Sequence, residues 1–225
     1  MPFLNPAYIL SVIIAISVHE CAHAFTASRL GDPTADHAGR LTLNPLAHLD
    51  PLGAMMFLIV GFGWAKPVPV NPTYFRHPKR GMALTALAGP LSNLLLACLA
   101  FAGLLILGGM HGGSAFDLLS PAAGTATGMR LLRQILGTSL FVNLALMAFN
   151  LFPIAPLDGS NILRLFIPWQ YEHKYEDIMR MGPFILIGLI ISESFLPIRI
   201  LSGWVYGIMG IVLSAFSSLA GFVGA

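Results

Sequence analysis

Apolar runs close to the length of a bilayer crossing recur along the chain, separated by short polar segments rich in glycine and proline. The first covers about Asn5 to Ser28, and at 1.5 Å per helical residue it reaches roughly 36 Å, enough to cross with some tilt. Gly31 to Pro51 is polar and turn-rich, whereas Leu52 to Phe62 is apolar but only 11 residues long, too short to span as a helix. The alternating prolines and valines of Trp64 to Pro72 then exclude helix and favour extended backbone. A short apolar segment running into an extended one predicts a re-entrant, β-like element that dips into the membrane and returns. Further spans are expected over Met82 to Gly108, about Leu131 to Phe152, about Gly182 to Ile198, and Leu201 to Val223. Pro153 and Pro156 must break the third span, which leaves Asp158 at an unwound turn, and Ser160 to Tyr175 reads as an amphipathic interfacial segment. The pattern predicts an all-α polytopic membrane protein with about five transmembrane helices, plus the extended segment after the first. Residues 1–225 are read as one integral-membrane domain without internal repeats.

Composition agrees and narrows the function classes. Charged residues make up 10% of the chain and hydrophobic ones 56%, against about 25% charged in an average soluble domain. A net charge of +2 with no basic cluster argues against nucleic-acid binding. The apolar N-terminus lacks a basic leader region, so it reads as a retained span and not a removable signal. Cys21 and Cys98 both fall in apolar helical stretches, which makes a structural disulfide unexpected. If the N-terminus is outside, nine of the 12 basic residues, among them Arg29, Arg40, Lys66 and Arg164, fall on the inner side. Only Arg130, Arg133 and Arg199 fall outside. The positive-inside rule then predicts a multi-pass protein of the cell membrane with its N-terminus out and its C-terminus cytoplasmic.

The chemistry lies in His19-Glu20-Cys21-Ala22-His23, near the inner end of the first span. On a helix this spacing puts two imidazoles one turn apart on one face with a carboxylate beside them, the pattern of a zinc site with a general base. Cys21, two residues from His19, faces elsewhere. A catalytic zinc takes three protein ligands and keeps one position for water. Of the acidic residues, Asp158 is embedded in an apolar, helix-broken segment at the right depth, and a carboxylate there needs a cation. Asp50, beside His48 and another apolar segment, is its rival. Glu20 is placed to take a proton from zinc-bound water and pass it to a leaving amine.

Taken together, His19-Glu20-Cys21-Ala22-His23, Asn150-Leu151-Phe152-Pro153 with Leu157-Asp158-Gly159, and Gly89-Pro90 with Asn93 resemble the site-2 proteases, which are intramembrane zinc metalloproteases. The Gly63 to Val70 stretch is similar to the short bacterial and archaeal members. The resemblance implies one zinc per chain bound by His19, His23 and Asp158, with Glu20 as base, and hydrolysis of transmembrane protein substrates within the bilayer near the cytosolic side. It makes Asn93 and Asn150 candidates for holding the scissile carbonyl or its oxyanion, with helix–helix hydrogen bonding as the competing role; Asn143 reads as packing. Trp64, Lys66, Pro67, Val68, Pro69 and Val70 become candidates for clamping an unwound substrate by strand addition. The larger members' PDZ and nucleotide-sensing domains have no counterpart in this sequence. A metal or solute transporter, or a non-proteolytic membrane scaffold, are the alternatives. A transporter would be expected to show repeats, and an intact Glu20 argues against a scaffold.

Overall fold

Asn5 starts the first long helix, its Oδ1 accepting from the Ala7 amide at 2.9 Å with Pro6 as the first helical residue. The structure, a computed structural model, describes residues 5–60, 63–107, 127–197 and 199–223. Helix α1 (Pro6–Arg29) ends where Gly31 takes a φ of 103°, and a single turn, α2 (Thr34–His37), follows. Helix α3 (Pro51–Val60) is capped by Asp50, whose Oδ1 accepts from the Gly53 amide at 2.8 Å. The chain then returns through residues 63–71 without helix; Leu49 and Ala65 form an isolated antiparallel bridge. Gly53 permits this return, because a Cβ there would collide with the backbone of Trp64. Helices α4 (Pro78–Ile106) and α5 (Thr127–Asn150) come next, followed by α6 (Asp158–Arg164), α7 (Glu172–Arg180), α8 (Gly182–Phe195) and α9 (Leu201–Val223).

Among the described residues, α1, α4, α5 and α9 are long and apolar enough to cross a membrane. Helix α4 packs along both α1 and α5 and is antiparallel to each: Asn93 meets Ala15 and Asn143, Thr85 meets His23, and Leu107 accepts from Arg133. Its outward face carries Leu91, Leu95 and Leu99, 51%, 61% and 60% exposed, an apolar stripe one turn apart. Away from the histidines, Phe101 and Leu104 of α4, Leu140 and Leu144 of α5, and Leu213 and Phe216 of α9 form the main apolar core. The rings of Phe101 and Phe216 stack at 4.5 Å there.

Two expectations change. Five alternating spans would run α9 parallel to α5, but it is antiparallel. Near its start Trp204 Nε1 donates to Ala148 O at the end of α5, whereas Phe216 reaches Phe101 at the opposite end of the bundle. The intervening α8 has 14 residues, about 21 Å of helix, short of a hydrocarbon core of about 30 Å. Both its ends lie by the α5–α6 turn: a Cβ on Gly182 would meet Ala155, and Glu193 accepts from the Ser202 amide at 3.1 Å beside Leu201, which packs with Phe152 and Leu157. Secondly, Asp158 is not in an unwound turn but is the first residue of α6, after the proline-broken stretch 151–157. Parts of the sequence reading, namely Gly61, Phe62, Gly108 at the end of the second span, most of the loop from Gly109 to Gly128, and Ile198, lie outside the described residues.

Candidate metal centre

Helix α1 puts His19 and His23 on one face, both buried at 5% and 8% exposure, with their Nε2 atoms 3.0 Å apart. Asp158 Oδ2 lies 3.2 Å from His19 Nε2 and 3.3 Å from His23 Nε2, so three potential ligand atoms form a nearly equilateral triangle. A tetrahedral ion with ligands at about 2.1 Å sets those ligands about 3.4 Å apart, close to these edges.

The protonation pattern also calls for a cation. His23 Nδ1 is 2.7 Å from Thr85 O; a carbonyl only accepts, so Nδ1 carries a proton, which in the neutral imidazole leaves Nε2 as the free lone pair. His19 Nδ1 is 2.6 Å from Asn93 Oδ1 and takes the same tautomer. Asp158 Oδ2 is buried without a hydrogen-bond partner. With both imidazoles neutral, two lone pairs and a carboxylate oxygen converge, a donor set that suits a divalent cation with nitrogen and oxygen preferences.

Close packing brings the pieces together. A Cβ on Gly89 would collide with His23 Nε2 and the His19 ring, so glycine lets α4 lie against both imidazoles. A Cβ on Gly159 would strike the carbonyls of Leu151 and Phe152, so the turn after Asp158 sits directly on the end of α5. Helix α6 is held from behind: Tyr175 donates its hydroxyl to Ser160 O, and Arg164 pairs with Glu172 at 2.8 Å and with Glu176. Lys79 at the start of α4 reaches Glu172 at 2.6 Å. Lys79 and then Arg164 hold the Glu172 carboxyl below its ordinary range.

Glu20 is half-buried beside the triangle, and its Oε2 accepts from the Val68 amide at 3.3 Å. The segment carrying Val68 is tied down elsewhere too. The Lys66 amide donates to His48 O at 2.8 Å, Arg40 donates to the carbonyls of Ala47 and Lys66, and the Asn71 amide donates to Asp32 Oδ2 at 2.7 Å. Burial alone would raise the Asp32 carboxyl, but the Thr34 hydroxyl and the Asn71 and Thr34 amides outweigh it and hold the pKa down. Of the clamp candidates, Trp64, Lys66, Pro67 and Pro69 are exposed, and Val68 and Val70 are half-buried.

The structure thus gathers His19, Glu20, His23, Asn93, Asp158 and the Val68 backbone in one place. It leaves Cys21 and Asp50 out of the triangle; Asp50 caps α3. Asn93 is fully buried with both Nδ2 hydrogens and its Oδ1 engaged inside the protein, while Asn150 spends one Nδ2 hydrogen on Leu146 O at 3.0 Å. Sequence reasoning missed Asp32, Arg40 and Thr85. The Asp-Pro-Thr sequence at 32–34 does signal a side-chain-capped turn, which the structure contains as Asp32 Oδ1 accepting from the Thr34 amide at 3.0 Å. Nothing local announces the pairing of Asp32 with Asn71, or the use of Thr85 through its carbonyl.

Comparison with known proteins is consistent in length and content. Residues 7–190 match the model of peptidase family M50. YwhC of Bacillus subtilis, whose name marks it as a candidate zinc metalloprotease, is 39% identical over 189 residues, covering 84% of this chain and 82% of that protein. Rip2 of Mycobacterium tuberculosis, named in the same way, is 29% identical over 204 residues, covering 88% of this chain and 69% of its own length. Rip2 of Mycolicibacterium smegmatis is 27% identical over 188 residues, covering 81% and 65%. No solved structure matches the chain.

Proposed function

The chain belongs to peptidase family M50, the site-2 protease family, and on that premise we propose that it is an intramembrane zinc endopeptidase cutting transmembrane segments of substrate proteins. The observation that carries this reading is the triangle of His19 Nε2, His23 Nε2 and Asp158 Oδ2 at the end of a membrane-crossing helix, with Glu20 beside it. His19, His23 and Asp158 hold one zinc per chain. Zinc in such a site supplies Lewis acidity, bringing the pKa of water towards about 7 and polarising a carbonyl.

The protein's own groups do the rest. Glu20 takes the proton from the attacking water and delivers it to the leaving amine. The Val68 amide keeps the Glu20 carboxylate from swinging away. Asn150 has one Nδ2 hydrogen without a partner among the described residues, which suits it to the scissile carbonyl. Both hydrogens of Asn93 are already engaged, which favours the supporting role over the oxyanion role. A helical substrate shields its own peptide bonds, so it must unwind, and residues 64–70 are the clamp that receives it extended.

The site lies toward the cytoplasm, with α3 and the returning segment forming the re-entrant element, and residues 1–225 work as one domain. The antiparallel course of α9 supports four crossings with both termini outside, in place of a cytoplasmic C-terminus. That arrangement moves Arg199 inward and leaves only Arg130 and Arg133 outside, which improves the charge asymmetry.

The test is purified protein in detergent with a panel of single-span substrates. Wild type should cut at least one substrate and carry zinc; Glu20→Gln should keep the zinc and cut none, and Asp158→Ala should lose both. Cleavage that survives Glu20→Gln overturns the mechanism.

A further inference from the structure

The two histidines are held by α4 in different ways. His23 hangs from a backbone carbonyl, Thr85 O, which no substitution removes. His19 hangs from a side chain, Asn93, and that side chain is itself held. We propose that Ser139, Asn143 and Asn93 form a hydrogen-bonded relay that fixes the tautomer and tilt of His19 and so sets the affinity of the metal site. Asn93 is thereby a positioning residue for the metal and not a donor to substrate. The proposal rests on the reading that His19 binds zinc.

The orientation of each amide follows from its neighbours. Asn93 Nδ2 lies 3.2 Å from Ala15 O; that carbonyl only accepts, so the amide must present its NH2 there. Its second hydrogen goes to Asn143 Oδ1 at 2.9 Å. Oδ1 is then forced towards His19 Nδ1, 2.6 Å away, where it demands a proton on Nδ1 and, in the neutral ring, turns the lone pair of Nε2 to the metal. Asn143 is oriented in the same way, because its Nδ2 donates to Ser139 O at 2.8 Å and Ser139 Oγ at 3.2 Å, which turns its Oδ1 to Asn93. Both asparagines are at 0% exposure, so no bulk water competes with these bonds.

The residue type matters. A carboxylate at position 93 would face Ala15 O and Asn143 Oδ1 with no hydrogen to offer either. It would also add a third carboxylate to a site that already holds Asp158 and Glu20. The neutral amide satisfies all three neighbours and leaves Asp158 as the one carboxylate in the ligand triangle, so that a bound dication keeps net positive charge. The relay also ties α1, α4 and α5 together at the depth of the site.

The experiment measures zinc affinity, independently of proteolysis. The full chain is stripped of metal in detergent, then titrated with zinc against a chromophoric chelator. Loss of an outer partner of a metal-binding histidine weakens affinity by about 10–100-fold, and Asn93→Ala should fall in that range. Asn143→Ala should weaken binding by a smaller factor. The double variant should match Asn93→Ala within about twofold, because Asn143 acts only through Asn93. Ser11→Ala, a buried hydroxyl bonded within its own helix, should leave affinity unchanged. Cobalt(II) uptake, read from its d–d absorption, should be perturbed in the same order. Asn93→Ala binding as tightly as wild type overturns the relay, as do losses that multiply in the double variant. If Asn93→Ala does not fold, an unchanged affinity in Asn143→Ala overturns it. A wild-type chain that takes up no zinc overturns the metal reading beneath the proposal.

Discussion

The Val68 amide nitrogen sits 3.3 Å from Glu20 Oε2, which links the extended segment directly to the carboxylate beside the two histidines. A hydrogen bond to a charged group is worth about 1.5–3 kcal/mol, enough to hold a flexible glutamate in one rotamer. Val68→Pro removes the donor from a stretch that already carries Pro67 and Pro69. It is expected to reduce turnover by about tenfold with zinc content unchanged, since each 1.4 kcal/mol is about a factor of ten. Val68→Ala keeps the N–H and should stay near wild type; equal losses in the two variants would assign the effect to the side chain.

Gly89→Ala is the sharpest test of the packing around the histidines. In a helix interior alanine is favoured over glycine by about 0.5–1 kcal/mol, so a merely helical position would gain stability. Here the new methyl meets His23 Nε2 and the His19 ring. The expected result is loss of zinc and of cleavage with the helical circular dichroism retained. Full zinc occupancy would show that the rings have room to give.

Asp32 makes the extended segment sensitive to acid. Its folded pKa lies below the ordinary value, so it binds fewer protons than the unfolded state and its contribution is complete above the unfolded value. That contribution is lost as pH falls through the lowered folded value. Limited proteolysis within residues 64–71 should therefore stay slow at neutral and mildly acidic pH and accelerate only in strong acid. Asp32→Ala should show the fast pattern at neutral pH and lose about 1.5–3 kcal/mol of stability. Identical digestion of wild type and variant at neutral pH would remove Asp32 as the anchor.

Topology can be read with reporters. A fusion after residue 225 and one before residue 1 should report the same face of the membrane, the one opposite Lys79 and Arg164. A C-terminal reporter on the Lys79 face would contradict the antiparallel course of α9.

What was legible in advance depended on how local the cause was. The histidine pair is a helix-period pattern, and Asp158 stands out because an acidic residue in a proline-broken apolar stretch lacks any other partner. Asp50, read as the rival ligand, instead caps a helix with proline at its first position, a role as local as the motif itself. The number of spans was less legible. Hydropathy registers α8 as a candidate, but whether 14 apolar residues cross depends on where their ends are anchored. Here Gly182 against Ala155 and Leu201 against Leu157 return both ends to one side. The partners of Asn93 and Asp32 lie 39 or more residues away in sequence, apart from the turn to Thr34. No periodicity encodes such pairings.

The prolines of the extended segment limit what it can recognise. Pro67, Pro69 and Pro72 have no N–H, and the amides of Lys66, Val68 and Asn71 are committed to His48, Glu20 and Asp32. Between Lys66 and Pro72 only the Val70 amide has no partner among the described residues. A chain laid against this segment therefore meets mainly carbonyl oxygens and must bring its own donors. As the proposed clamp, the segment would read the backbone of its guest with a built-in polarity. If the segment is the clamp proposed above, a guest with proline at the paired positions has no hydrogen to give, so the placement of prolines within the unwound stretch of a substrate would govern whether it is held.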